Sequence, residues 1–219
     1  KTIAAYEKAA QEIAALKPDS IVLTTPHSVL YSDYLHISPG NGAKGDFSMF
    51  GAPGVIFTVS YDTALRETLI DLAQEQGIPA GTLGERSPAL DHGTMVPLYF
   101  LNQHYRDYRL IRVSLSGLSR LHHYRLGKCI ARAAEQTGRK VVIIASGDLS
   151  HKLTVDGPYG YVKEGPEFDK AVTEAMAEGD FLRFLTMDEE FCEKAAECGL
   201  RSFVIMAGAL DGKAVKPRL

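Results

Sequence analysis

Residues 141–151 read VVIIASGDLSH. Val141–Ala145 is apolar on both faces, the pattern of a central strand in a sheet covered by helices on both sides. Polar residues Ser146–His151 follow at once. In open α/β sheets ligands bind beyond the carboxyl ends of the strands, so Asp148 and His151 stand where chemistry is placed. Outward from here the chain alternates. Ser20–Thr25 (SIVLTT) is a second buried strand and ends at Pro26-His27; residues 54–60 and 108–115 read as two more. Helical spacing covers residues 2–16, stopped by Pro18. A second helix starts at an Asp62 or Thr63 cap and runs through Gln76 to Gly77. Further helices are predicted from Ser119 to Thr137 and near 166–178, 180–186, 189–196 and 200–210. Strands alternating with helices predict an α/β class: a single domain, residues 1–219, with a mostly parallel central sheet flanked by helices. Two loops rich in Gly and Pro, residues 31–53 and 151–166, interrupt the pattern. Loops that long are usually functional or mobile.

Composition narrows the classes. The 219 residues are 45% apolar and 23% charged, with a net charge of −3, which fits a globular domain and excludes disordered, collagenous and disulfide-stapled chains. That charge gives no support to a nucleic-acid partner. No run approaches the roughly 20 apolar residues that span a membrane. Three cysteines, Cys129, Cys192 and Cys198, point to a reducing, cytoplasmic location. The chain opens on Lys1 without a signal peptide or basic leader, and is expected to begin downstream of the true N-terminus.

His27 follows the first strand, His151 follows Val141–Ala145, and Asp91-His92-Gly93 precedes a helical run. Singly, such residues are surface or capping histidines. Together, with carboxylates nearby, they suggest a site, because imidazole both ligates metals and moves protons near neutral pH. Two histidines and a carboxylate with open positions suit non-haem Fe(II). Glu197 and Cys198 precede the last helix, and either could ligate: the carboxylate suits Fe(II), the thiolate softer ions. Glu197 has a second reading, as a charge favoured by the helix dipole. No G-x-S-x-G elbow, Walker loop, dinucleotide-binding G-x-G-x-x-G or H-E-x-x-H is present.

The motifs TPHSVLYSD (25–33), LDHGTMVPL (90–98), SGDLSH (146–151) and ECGLR (197–201), with the later G-A-L, resemble the class III extradiol ring-cleavage dioxygenase superfamily. They are most similar to the branch associated with AMMECR1-type domains and related to Memo proteins. The resemblance implies His27 and Glu197 as metal ligands, with Cys198 at the place where Memo-type proteins carry a cysteine. It implies His151 as the acid/base, His92 as a further active-site histidine that contacts substrate, and Asp148 as orienting His151 or approaching the metal; Asp148, Tyr31 and Cys198 are the expected substrate contacts. It also implies Fe(II), an aromatic diol and O₂, and a possible AMMECR1-type partner domain. A first metal ligand in an upstream His-Pro-Pro segment belongs to the pattern. This sequence holds no such segment, and the expectation is that it lies upstream.

The bland readings fall elsewhere. His122 and His123 are adjacent on a helix and point about 100° apart, so they do not share a metal. His104 reads as solvated, His36 as a strand or loop residue near the site, and Cys129 as a small core residue. Tyr31, Tyr34, Phe47 and Phe50 either wall an aromatic pocket or pack beneath the long loop. A Memo-like module that binds Zn or Cu, or a peptide, without catalysis is the competing function, as is a metal-dependent hydrolase or a redox protein using Cys198. A two-fold homodimer is the base-rate assembly.

Overall fold

A computed structural model describes residues 1–218. Helix α1 (Thr2–Leu16) leads into β1 (Ser20–Thr25). Strands β2 (Leu35–His36), β3 (Gly42–Phe47) and β4 (Ala52–Ser60) follow, then α2 (Thr63–Glu75), β5 (Ala80–Gly81) and α3 (His92–Leu101). The second half runs β6 (Arg109–Ser114), α4 (Arg120–Thr137), β7 (Val141–Ala145), α5 (Glu164–Glu178), α6 (Arg183–Thr186), α7 (Glu189–Ala195) and α8 (Leu200–Ala209).

The main sheet has the order β6-β1-β7, all parallel, with Ser20 level with Arg109 and Val141. Side chains alternate as the pleat requires. Val22, Ile111 and Val113 face α2 and α4, where they meet Leu65, Leu69, Leu126 and Ile130. Ile21, Leu23 and Leu110 face α3 and the β3–β4 hairpin, where they meet Met95, Leu98 and Phe57. A third core joins α5–α8 around Phe168, Phe184 and Val204. The helices begin where their capping side chains sit. Asp62 accepts the Leu65 N–H at 3.1 Å and opens α2; Asp91 accepts the Thr94 N–H at 3.0 Å and opens α3. No helix among the described residues is long and apolar enough to cross a membrane.

Two expectations are corrected. Val141–Ala145 is an edge strand, and β1 is the centre. Its two apolar faces reflect helices above and below. Val141 and Ile143 pack toward α2 and α4 and Ile144 toward α3, yet all five residues stay only partly buried, whereas every residue of β1 is buried. Covered faces and a paired edge are separate conditions, and apolarity reports only the first. Residues 54–60 do not join the main sheet. They form most of β4, which pairs antiparallel with β3, so the 31–53 loop holds a hairpin arm and β2. Gly and Lys in β3 masked a strand that is exposed on alternate residues.

Candidate metal centre

The three parallel strands end on one side of the sheet, with Thr25 level with Ser114 and Thr24 with Ala145. Three segments meet at that end: the turn after β1 with His27, the first turn of α3 with His92, and the loop after β7 with Asp148 and His151. The α7–α8 junction brings Cys198 to the same place.

Specific bonds hold them. Thr25 Oγ1 donates to Asp91 Oδ1 at 2.6 Å and accepts the His27 N–H at 3.2 Å, so one hydroxyl ties the tip of β1 to the cap of α3. The rings of His27 and His92 are tilted 32° to one another, with centroids 4.0 Å apart. A Cβ on Gly93 would sit 2.6 Å from Thr25 Oγ1 and 3.1 Å from His27 Cδ2, so only glycine permits this approach. Pro97 lies inside α3 and has no N–H for the Gly93 carbonyl four residues earlier. That carbonyl accepts the Ser146 hydroxyl at 2.7 Å instead. Ser146 also donates its N–H to the Thr24 carbonyl (3.1 Å) and accepts Ser202 Oγ–H on its own carbonyl (2.7 Å), so it joins β1, α3 and α8. Next to it, Gly147 has φ +152°, and a Cβ there would lie 2.4 Å from Gly199 Cα. This contact brings the 146–148 loop against the start of α8.

A nitrogen of His27, a carboxylate oxygen of Asp148 and Sγ of Cys198 all lie within 4.8 Å of one another. Metal–ligand bonds of about 2.0–2.3 Å place donor atoms roughly 3–4.5 Å apart, so the trio fits a divalent transition ion with little movement. Cys198 Sγ accepts the Asp148 N–H at 3.1 Å, while the Asp148 carbonyl accepts the Cys198 and Gly199 amides at 3.2 and 3.0 Å. Burial pushes the Cys198 thiol above its usual range, and the Asp148 amide opposes the shift. Burial lowers the pKa of His27, and His92 adds to that; Asp91 and Asp148 pull the other way. A neutral imidazole is the ligand form.

His151 lies on the far side of Asp148, its Nε2 3.2 Å from Asp148 Oδ2. Its Nδ1 bonds the Ala196 carbonyl at the end of α7, and its ring is 5.1 Å from Tyr159. The neighbouring Ser150 hydroxyl donates to the Ala195 carbonyl at 2.8 Å, so α7 holds both residues by its C-terminal carbonyls. Phe50 stands edge-on to His92 at 5.8 Å. Phe50 and Tyr159 are both more than half exposed, Phe50 beside His92 and Tyr159 beside His151.

Glu197 is not in this donor group. Its Oε2 accepts the Leu200 N–H at 2.6 Å and satisfies a free amide of the first turn of α8. Burial raises its pKa, opposed by that bond and by Arg201 and Arg120. Tyr31 is engaged elsewhere too: its hydroxyl donates to the Gly84 carbonyl at 2.5 Å, and Arg86 lies over its ring at 5.3 Å. The expected aromatic cluster separates into two. Tyr31 and Tyr34 pair edge to face at 6.2 Å, and Phe47 and Phe50 do so at 6.0 Å, Phe47 also packing on Phe57. His104 is paired with Glu7 at 2.5 Å. Ser146, Asp91 as a tether and Arg112 behind it were not identified as site residues. The one sequence signal for Ser146 is its place directly after a strand, opposite a helix containing proline.

This fold, with imidazoles, a carboxylate and a thiol gathered at the carboxyl ends of its parallel strands, belongs to the family described as the catalytic LigB subunit of aromatic ring-opening dioxygenase, matched over residues 1–218. That is the class III extradiol superfamily. A protein of Clostridium acetobutylicum that carries only a locus name is 35% identical over 98% of this chain; the chain spans 47% of that relative's length. The 3,4-dihydroxyphenylacetate 2,3-dioxygenase of Escherichia coli is 28% identical over 89% of this chain and 76% of its own. The crystal structure of an uncharacterised Escherichia coli K12 protein shares the fold, with a TM-score of 0.62, at 16% identity over 95% of this chain and 83% of that one.

Proposed function

We propose that the chain is a non-haem Fe(II)-dependent extradiol dioxygenase that opens a catechol-type diol with O₂. The observation that carries this reading is the convergence of His27, Asp148 and Cys198 within 4.8 Å, with His92 against His27 and His151 against Asp148. Family membership and a relative named as an extradiol enzyme support it. His27, Asp148 and Cys198 would hold the metal, and Glu197 shapes the loop that presents Cys198. Bound there, Fe(II) would supply electron transfer between diol and dioxygen and a template for both. The chain's own groups do the rest. The bond from His151 Nδ1–H to the Ala196 carbonyl leaves Nε2 to take the diol proton, which Asp148 Oδ2, 3.2 Å away, then holds on the ring until it is returned. His92, fixed by the cap of α3, lines the diol side. Phe50 beside His92 and Tyr159 beside His151 would offer aromatic faces to the diol ring.

The test is anaerobic Fe(II) loading, then a screen of catechols for O₂ uptake and yellow ring-opened products. His151→Ala should lower turnover by about 10²–10⁴-fold, the usual contribution of a positioned acid/base. Turnover near the wild-type rate would remove that role. Cys198 favours one second reading, a Memo-like binding site, because a thiolate suits Zn or Cu(I) better than a carboxylate does. Tight Zn or Cu binding with no O₂ uptake on any diol would select it.

A further inference from the structure

Arg112 lies in the middle of β6, level with Leu23, and its side chain is 1% exposed. A guanidinium stays charged at any ordinary pH, so burying one is strongly unfavourable unless it is paired and hydrogen-bonded. Its partners are concentrated on one stretch of chain. Nη1 donates to the Ala89 carbonyl at 2.6 Å and lies 3.6 Å from Asp91 Oδ2; Nη2 lies 3.7 Å from Glu85 Oε2. Nε donates to Ser38 Oγ at 2.7 Å, on the far side. The guanidinium therefore holds residues 85–91 by one hydrogen bond, to Ala89, and two longer ion pairs, to Asp91 and Glu85, and that stretch ends one residue before His92. Asp91 carries the grip forward: its other oxygen takes the Thr25 hydroxyl, which takes the His27 N–H.

We infer that Arg112 is a positioning residue for the paired imidazoles, holding His92 against His27 through Asp91 without touching either ring. Its significance for catalysis rests on the metal-site reading above; the geometric relation does not. A fork-shaped group is needed because Ala89, Asp91 and Glu85 lie in different directions. Lysine brings the same charge on one head and cannot serve all three.

The experiment is NMR on metal-free protein with labelled histidines. Wild type should show a nuclear Overhauser effect between the rings of His27 and His92. In Arg112→Met and Arg112→Lys that effect should fall by more than half. The buried His123 ring, on the opposite face of the sheet, should keep its shifts. If the methionine variant fails to fold, the lysine variant carries the test. Absence of the effect in wild type, its retention in a folded Arg112 variant, or an equal disturbance at His123 overturns the inference. Co(II) titration separates the two readings. Wild type should bind, His27→Ala should not, and Arg112→Lys should bind at least tenfold more weakly. Equal binding by wild type and His27→Ala, with the ring effect behaving as expected, rejects the metal site and leaves the positioning role standing. Unchanged Co(II) affinity in a folded Arg112→Lys that has lost the ring effect would show that the grip does not serve the metal site.

Discussion

At the scale of single residues, the same side-chain type does opposite work in two places. His27 is exposed and faces a carboxylate and a thiol. His123 is fully buried, its Nδ1–H donating to the Ser119 carbonyl at 3.0 Å and its Nε2 accepting the Ser116 N–H at 3.3 Å. Those bonds are complete for a neutral ring, and burial pushes its pKa down from 6.5 to about 4. An imidazole with a depressed folded pKa contributes stability above its unfolded pKa, and that contribution is lost as pH falls toward the folded value. Stability should therefore drop between about pH 6.5 and pH 4, by about 3 kcal/mol from His123 at 1.36 kcal/mol per unit. His36, fully buried beside Arg112 and also lowered to about 4, acts in the same direction. Urea denaturation of His123→Gln across that range should show a shallower fall by roughly that amount. An unchanged slope would mean that His123 is not the titrating group. A hint of this is legible in the sequence, since adjacent histidines on a helix diverge by about 100°. It could not separate Glu197 from Cys198, because which of two neighbours turns outward depends on the hydrogen bond to Leu200.

At the scale of elements, the contact of α4 with α8 is set by two glycines. A Cβ on Gly127 would lie 2.0 Å from the Ile205 carbonyl, and one on Gly208 would lie 1.9 Å from the Tyr124 carbonyl. Each glycine faces the other helix's backbone, so no side chain can rotate away. Gly127→Ala and Gly208→Ala should each cost about 2–3 kcal/mol in chemical denaturation, in the range of overpacked cores. Because α8 begins just after Cys198, the same variants should also weaken metal binding. A stability change under about 0.5 kcal/mol, an ordinary surface value, would contradict the close packing. Helix periodicity located both helices to within a residue or two, and it assigned Cys129 to the core, where it lies. It could not show that Gly127 is a contact, because an isolated glycine in a helical pattern carries no partner information. The edge position of β7 was hidden for a related reason: burial of faces is local, but pairing of edges depends on strands distant in sequence.

At the scale of the whole molecule, the proposed site joins distant parts of the chain: His27 beyond β1, Asp148 beyond β7 and Cys198 ahead of α8. Order along the sheet made His27, Asp148 and His151 legible as neighbours, since parallel strands deliver their carboxyl ends to one side. The Cys198 contact was less legible, because the path of α5–α7 from the sheet back to α8 is fixed by a separate core around Phe168 and Phe184. The distribution of ligands has a thermodynamic consequence. An unfolded chain holds these groups far apart and has little affinity for the ion. Metal binding therefore stabilises the fold by mass action, by about 2.7 kcal/mol at a free metal concentration 100 times the dissociation constant. For a chain of this size, each kcal/mol moves the unfolding midpoint by roughly 2–4 °C. Co(II) or anaerobic Fe(II) should thus raise the midpoint by about 5–10 °C in wild type. His27→Ala should shift by less than about 2 °C, because two remaining donors, Asp148 and Cys198, bind the ion too weakly for mass action to stabilise the fold at the same concentration. A surface histidine binding metal adventitiously would give the variant the same shift as wild type, and that result in a thermal scan would dissolve the proposed centre while leaving the fold untouched.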